Sequence, residues 1–126
     1  MTSERRQRGL DKMAEVYGWQ VTDDGGGPDD FYGITVEHLF AEVWTREGLS
    51  NRDRRLLLIG ALAASGLDDV LDIQLPAALG SGELGPDELR EVVIFLTHYL
   101  GWPRGAKLNQ RVETLIARYE ADGPLP

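Results

Sequence analysis

Apolar residues recur every three or four positions along much of the chain, which is the spacing of amphipathic helices. The first such stretch, Ser3 to Gly18, carries a narrow apolar stripe, so we expect a helical arm that a glycine ends. The next, Thr35 to Thr45, fits one face of an α-helix with these apolar residues: Val36, Leu39, Phe40, Val43 and Trp44. Between them, TDDGGGPDD (Thr22 to Asp30) cannot build a core and is predicted to be a loop. Its spacing matches neither a P-loop nor an EF-hand, which argues against a phosphate or calcium site.

Two later stretches carry more apolar residues than one helix face can hold. Leu56 to Ala64 is apolar on every side and follows Ser50, a good N-cap residue. This predicted central helix must be covered all round. Val92 to Leu100 also exceeds a single stripe, which favours packing against the central helix on one face and against a second subunit on another. We therefore expect a homo-oligomer that is stable only when assembled.

Prolines mark the remaining helices. The helix predicted after Gly66 contains Pro76, and a proline in a helix interior removes a backbone hydrogen bond at a cost of about 3 kcal/mol. A kink or a restart near Gln74 is therefore expected. Pro86 and Pro103 are well placed to start the last two helices. The sequence contains no alternating strand pattern, so the predicted fold class is all-α.

Composition narrows the function. A length of 126 residues suits a single domain, with a helical arm and glycine-rich loop over 1–33 and a helical core over 34–121. The formal net charge of -8 without a basic stripe argues against a nucleic-acid partner. No signal core and no apolar run near the ~20 residues of a membrane span are present, so we expect a cytoplasmic protein with no membrane partner. The sequence has no cysteine and two histidines, so thiol peroxidase chemistry is excluded and no metal or other cofactor is expected.

A series of short motifs, in this order and spacing, resembles the carboxymuconolactone decarboxylase family, which shares an all-helical fold with alkylhydroperoxidase D-like proteins. The resemblance runs from about Ile34 to Val112. It rests on Trp44-Thr45-Arg46 before Gly48-Leu49, Arg54 at the start of the central helix, Ala77-Ala78 to Gly82, Glu88 with Glu91-Val92, and Tyr99-x-Gly101-x-Pro103. It implies subunits assembled as trimers or hexamers. It also implies cofactor-free loss of carbon dioxide from a carboxylated muconolactone, a step of aromatic-acid catabolism.

Such a reaction needs a positive group for an anionic metabolite. Loss of carbon dioxide sends electron density onto the lactone carbonyl, so a cation or hydrogen-bond donor should face that oxygen while an acid returns a proton to carbon. Arg46 and Arg54 are the candidate anchors, because guanidinium binds carboxylate through two parallel hydrogen bonds. Trp44 and Tyr99, in the matched segments, are further substrate-binding candidates. The alternative is that each arginine pairs with a neighbouring carboxylate: Glu42, Glu47 or Asp53.

Three residues are candidates for the catalytic step. His38 resembles a family histidine just before Trp-Thr-Arg and could donate the proton; alternatively, it is a boundary residue of an amphipathic helix. His98 lies in a nearly all-apolar helix, where we expect it to be at least partly buried, as a catalytic group or as a satisfied core or interface histidine. Gln74 stands where the resemblance leads us to expect a histidine. Glutamine can orient a substrate or water but cannot cycle a proton near neutral pH.

Two functions follow from these residues. The first is a lyase or isomerase acting on a small carboxylated or lactone-like metabolite. The second is a non-catalytic small-molecule-binding or assembly protein of the same fold. A pocket lined jointly by Arg54, Gln74 and one histidine would favour the enzyme, whereas a dry apolar interior at that place would favour the second function.

Overall fold

The computed structural model describes residues 2–123, which contain helices and no strand, so the all-α prediction is confirmed. The chain divides into two compact units with the boundary between Asn51 and Arg52. The predicted single domain with an arm over 1–33 stays a prediction. The helices are α1 Glu4–Tyr17, α2 Phe31–Ile34, a π-helix Thr35–Val43, α3 Asn51–Ser65, α4 Asp68–Gly80, α5 Pro86–Leu100 and α6 Trp102–Asp122.

In the first unit, α1 begins and ends where the sequence predicts. The Ser3 side chain accepts a hydrogen bond from the backbone N–H of Arg6, and Gly18 ends the helix in the left-handed conformation with φ 81°. The buried side of α1 packs on the π-helix. A Cβ at Gly9 would overlap the backbone of Val36, so glycine permits this close approach.

The segment predicted as an α-helix over Thr35 to Thr45 is wound mainly as a π-helix, so this part of the prediction is wrong. Its wider winding is visible at the end, where the N–H of Trp44 donates to the carbonyl of Leu39, five residues earlier, at 2.9 Å. Val36 and Phe40 are buried but Leu39 is 40% exposed. The 3.6-residue period therefore placed Leu39 on the wrong face. π-helical turns are rare and often occur at functional sites.

In the second unit, α3 to α6 enclose one apolar core. Its fully buried members come from all four helices, and they include Ile59, Leu71, Leu75, Leu89, Leu108 and Val112. Helix α5 packs closely on α6 because Gly105 lies against the side chain of Thr97, where a Cβ would overlap. This core determines which face of each helix points inward. It therefore also determines which polar side chains are buried, because they lie on the same faces.

One expectation for this unit needs correction, and another stays a prediction. Helix α4 runs unbroken from Asp68 to Gly80 through Pro76, so of the two predicted alternatives the restart is wrong and the kink stays a prediction. The central helix α3 is not covered all round within the described residues, since Leu57 is 65% exposed. On α5, Phe95 and Tyr99 are also exposed. The homo-oligomer invoked to cover these surfaces stays a prediction.

Candidate functional site

A buried arginine joins three parts of the second unit. The side chain of Arg55, on α3, is 0% exposed. Its Nε donates to Glu83 Oε1 at 2.9 Å and its Nη2 to Glu83 Oε2 at 3.3 Å, while Nη1 donates to Gln74 Oε1 at 2.6 Å. We call Arg55, Gln74 and Glu83 the Arg55 cluster. It links α3 to α4 and to the turn after α4.

The inward position of Arg55 follows from helix periodicity. The buried residues of α3 are Arg55, Ile59, Leu62 and Ala63, which are spaced as one helix face. Arg54, one position earlier, is only half-buried. Arg54 was the residue predicted from the sequence, and Arg55 was not among the predicted site residues. The signal that could have found it is the i, i+4, i+7 spacing from Arg55 to Ile59 and Leu62.

Glu83 is held in place by its backbone as well as its carboxylate. Arg52 Nε donates to the carbonyl oxygen of Glu83 at 3.1 Å, and Arg52 Nη2 donates to Glu88 at 2.7 Å. The backbone N–H of Gly85, followed by Arg52, lowers the pKa of Glu88. Arg52 and Arg55 therefore hold the turn between α4 and α5 together, Arg52 through the Glu83 backbone and Arg55 through the Glu83 carboxylate.

Gln74 has a defined amide orientation. It is 3% exposed. Because guanidinium has only donors, the atom facing Arg55 must be the amide oxygen. The Nε2 group, with two N–H donors, then points away from Arg55. Gln74 can thus orient an acceptor atom but, as the sequence indicates, cannot transfer a proton.

Both histidines are exposed. His98 was expected to be at least partly buried, and that expectation is wrong, because it lies on the outer side of α5. Its Nδ1 donates to the carbonyl of Ile94 at 2.7 Å, which leaves Nε2 as the acceptor atom of a neutral ring. His98 borders a cavity of about 280 Å³ with Trp102 and Asn109.

His38 lies on the π-helix, with Nδ1 2.9 Å from Glu42 Oε1. The same carboxylate oxygen accepts from Arg5 Nη2 at 2.5 Å. The hydrogen bond from His38, with the charge of Arg5 beside it, lowers the pKa of Glu42. His38 therefore belongs to an exposed charge cluster in the first unit.

The proposed substrate-binding residues have different environments. Trp44 is buried, with its ring stacked on Phe40 at a centroid distance of 6.1 Å. Tyr99 is 78% exposed, beside Phe95. Arg46 is exposed. Within the second unit, the structure brings Gln74 together with Arg55 and not with Arg54, and the cavity beside His98 is lined by neither Gln74 nor Arg54.

Two larger grooves lie in the second unit. One, between α3 and α5, has a volume of about 690 Å³ and a mainly apolar wall that includes Leu57, Val92 and Phe95. The other, between α4 and α6, has a volume of about 680 Å³ and is lined by charged residues of both signs.

Over residues 2–123, no group of three or more His, Cys, Asp or Glu side chains could hold a metal ion. In the same range, no helix has the length and apolar character needed to cross a membrane.

The class is that of an all-helical protein without cysteine, with a buried polar cluster at its central helix. The particular family follows from sequence comparison. The carboxymuconolactone decarboxylase family model matches residues 29–112, and the chain belongs to that family. It is 30% identical over 105 residues to the 4-carboxymuconolactone decarboxylase of Acinetobacter baylyi, an alignment that covers 79% of this chain and 78% of that protein. The resemblance drawn from the motifs is confirmed.

Proposed function

We propose that this chain is a cofactor-independent lyase or isomerase acting on a small carboxylated or lactone-like metabolite. The observation that carries the proposal is the similarity to a 4-carboxymuconolactone decarboxylase over most of both chains. The Arg55 cluster adds physical support, because it holds a cation and an oriented amide inside a low-dielectric core. Preoriented donors in such surroundings stabilise developing negative charge more strongly than water does.

The residues of the proposed site take distinct roles. Gln74 would donate from Nε2 to the carbonyl oxygen on which charge develops, and Arg55 would act as a positioning residue that fixes the amide. His98 or His38 would return the proton as an imidazolium. In His98 the Nδ1–H is engaged by the carbonyl of Ile94, so Nε2 would carry the proton that is delivered. The remaining substrate-binding candidates are as inferred from the sequence: Arg46, Arg54, Trp44 and Tyr99.

The test is turnover of 4-carboxymuconolactone by purified protein in the presence of a chelator, followed by carbon dioxide release. We expect turnover without an added cofactor. We also expect Gln74→His to raise the rate, because imidazole can cycle a proton near neutral pH, especially as the neighbouring Arg55 favours its neutral form. Gln74→Leu is the matched variant and should lower it. The absence of carbon dioxide release above a heat-inactivated control, for wild type and Gln74→His alike, would contradict the proposal.

The second candidate is a non-catalytic small-molecule-binding or assembly protein. One observation favours it: the guanidinium of Arg55 is already engaged by Glu83 and Gln74, so the cluster is a satisfied structural network without a proton-cycling group. Calorimetry with the same lactone separates the two functions. Binding with no product in the same sample supports the second candidate, whereas product formation supports the enzyme.

We also propose that the protein is a homo-oligomer, a trimer or a hexamer, in the cytoplasm. The exposed side chains Leu57, Ile94 and Phe95 on α3 and α5 support an interface. Light scattering should show an oligomer, and Phe95→Asp should dissociate it. The same change at the exposed α6 residue Ala117 should leave it assembled. A monodisperse wild-type monomer at micromolar concentration would contradict the proposed oligomer. The proposed cytoplasmic location is tested separately by cell fractionation.

A further inference from the structure

The groove between α4 and α6 has no role in the function proposed above. The residues of the Arg55 cluster do not line it. Its walls combine charged and apolar side chains: Asp68, Asp72, Leu75, Pro76, Lys107, Gln110, Arg111, Thr114, Leu115 and Arg118. A volume of about 680 Å³ is within the range of small-molecule sites.

One wall of the groove is a line of donors on α6. At about 100° per residue, Lys107, Arg111, Thr114 and Arg118 fall within an arc of about 40 to 60° on one side of the helix. Three of these four residues are cationic, in a chain whose formal net charge is -8. The groove is therefore a local exception to the acidic character of the protein, and it favours an anionic ligand.

The cationic side chains of this α6 wall differ in how far neighbouring carboxylates neutralise them. Arg111 pairs with Asp72 at 2.5 Å and with Asp68 at 3.6 Å, and the hydrogen bond to Asp72 raises the pKa of Arg111. With Lys107 beside them, the charges at this end sum to zero. Arg118, by contrast, has no ion pair or hydrogen bond with any residue in the described part of the chain.

The contacts also give the direction of the groove. Arg104 lines a smaller cavity with Gly66 and Asp68, at the start of α4, while Arg111, further along α6, lies nearer to Asp72, one turn further along α4, than to Asp68. Positions thus advance in the same direction along both helices. Arg118 is displaced beyond the two aspartates, at the end where Leu75, Pro76 and Leu115 form the wall. Thr114 lies one helical turn before Arg118 and supplies a hydroxyl on the same side.

We propose that this groove binds a small organic monocarboxylate with a short apolar body. The carboxylate would lie on the guanidinium of Arg118 and the hydroxyl of Thr114, and the body would lie against Leu75 and Pro76. Guanidinium suits a carboxylate because it can donate two parallel hydrogen bonds. The end near Lys107 has no excess positive charge, so a second carboxylate gains nothing there. The inference is independent of the decarboxylase-like proposal.

The probe is hexanoate, titrated into the full-length protein and followed by amide chemical shifts and calorimetry. We expect shifts centred on α4 and α6 and a dissociation constant of about 1 mM. Arg118→Gln should weaken binding about tenfold, the low end for a charge-assisted hydrogen bond. Lys107→Gln is the matched control, since it removes one charge from the same groove, and it should change binding less than about twofold.

Three results would overturn the proposal. Equal losses in Lys107→Gln and Arg118→Gln would show that only net charge matters. Shifts centred on the apolar groove between α3 and α5 would place the ligand elsewhere. Inorganic phosphate binding as tightly as hexanoate would reduce the groove to a general anion patch. Adipate, which carries a second carboxylate, should bind wild type more weakly than hexanoate does. In Asp72→Asn, which removes one negative charge from the groove, adipate should bind more tightly than hexanoate. Both results would support the charge distribution on which the proposal rests.

Discussion

Each unit of the molecule contains one buried arginine, and the two have different partners. In the first unit, Arg6 donates to Asp23 at 2.8 Å, to Glu37 at 2.9 Å and to the carbonyl of Gly25 at 2.5 Å. Its guanidinium also lies 5.3 Å from the ring centroid of Tyr32. In the second unit, Arg55 donates to the carboxylate of Glu83 and to the neutral amide of Gln74.

The difference lies in which partner can change. Around Arg6, every side-chain acceptor is a carboxylate; these acceptors raise the pKa of Arg6, and Arg6 lowers the pKa of Asp23. The group connects α1 to the glycine-rich loop and to the π-helix, so we interpret it as a structural clamp. Around Arg55, Glu83 supplies a carboxylate, whereas the amide of Gln74 is neutral. The residue at 74 can therefore vary without leaving a buried charge unpaired, which makes it the position where chemistry can change while the fold is kept.

Removing Arg55 should have the largest effect. Arg55→Met leaves the Glu83 carboxylate, whose side chain is 15% exposed, without its cation. Loss of one partner of a buried ion pair typically costs about 3 to 5 kcal/mol in the free energy of unfolding, which urea denaturation measures. The double variant Arg55→Met/Glu83→Gln should recover part of this loss, because no charge is then left unpaired. A double variant less stable than Arg55→Met would contradict the interpretation.

Replacing Gln74 should cost less. Gln74→Leu removes the acceptor for Arg55 Nη1 but leaves the ion pair with Glu83, so we expect a loss of about 1.5 to 3 kcal/mol, the range for hydrogen bonds to charged groups. Gln110→Leu, at an exposed position of α6, is the control and should be within about 0.5 kcal/mol of wild type. If Gln74→Leu is as stable as this control, the hydrogen bond does not support the fold.

The sequence was sufficient for the features that depend on local rules. The ends of α1 follow from Ser3 and Gly18, and the all-α class follows from helical spacing without strand alternation. The family was also identifiable, because its motifs are spread along the chain in a fixed order. These predictions rest on short-range chemistry that a single sequence displays directly.

What the sequence did not reveal depends on tertiary packing. The π-helix shifts the face of Leu39 through backbone winding, which leaves no mark in apolar spacing. The Arg55 cluster needs Glu83, which lies 28 residues away, whereas Arg54 was selected from a local motif at the start of the central helix. His98 was expected to be at least partly buried because its neighbours are apolar, yet Ile94 and Phe95 beside it are themselves exposed.

The clamp in the first unit predicts a local effect rather than general unfolding. Arg6→Met should release the glycine-rich loop, 22–30, because the hydrogen bonds to Asp23 and the carbonyl of Gly25 are lost together. We expect limited proteolysis to cleave this loop about tenfold faster than in wild type, since cleavage follows the population of the open form. Arg8→Met, on the same helix, is the control. Equal cleavage of the two variants would show that Arg6 does not hold the loop.

Acidic pH should have the smallest effect, and it acts on the same clamp. The hydrogen bond from Arg6 lowers the pKa of Asp23 from its ordinary value of 3.8. The folded state therefore binds this proton less readily than the unfolded state, so the stabilising contribution is fully present above pH 3.8 and is lost as the pH falls through the lower folded value. The measurement is the ratio of the hydrogen-exchange rates of the Gly25 and Gly26 amides to those of α6 amides, after correction for intrinsic rates. This ratio should rise about two- to threefold as the pH is lowered from about 5 to about 2. In Asp23→Asn this rise should be absent, with fast exchange at every pH. A wild-type ratio that stays constant across this range would show that Asp23 does not control the loop.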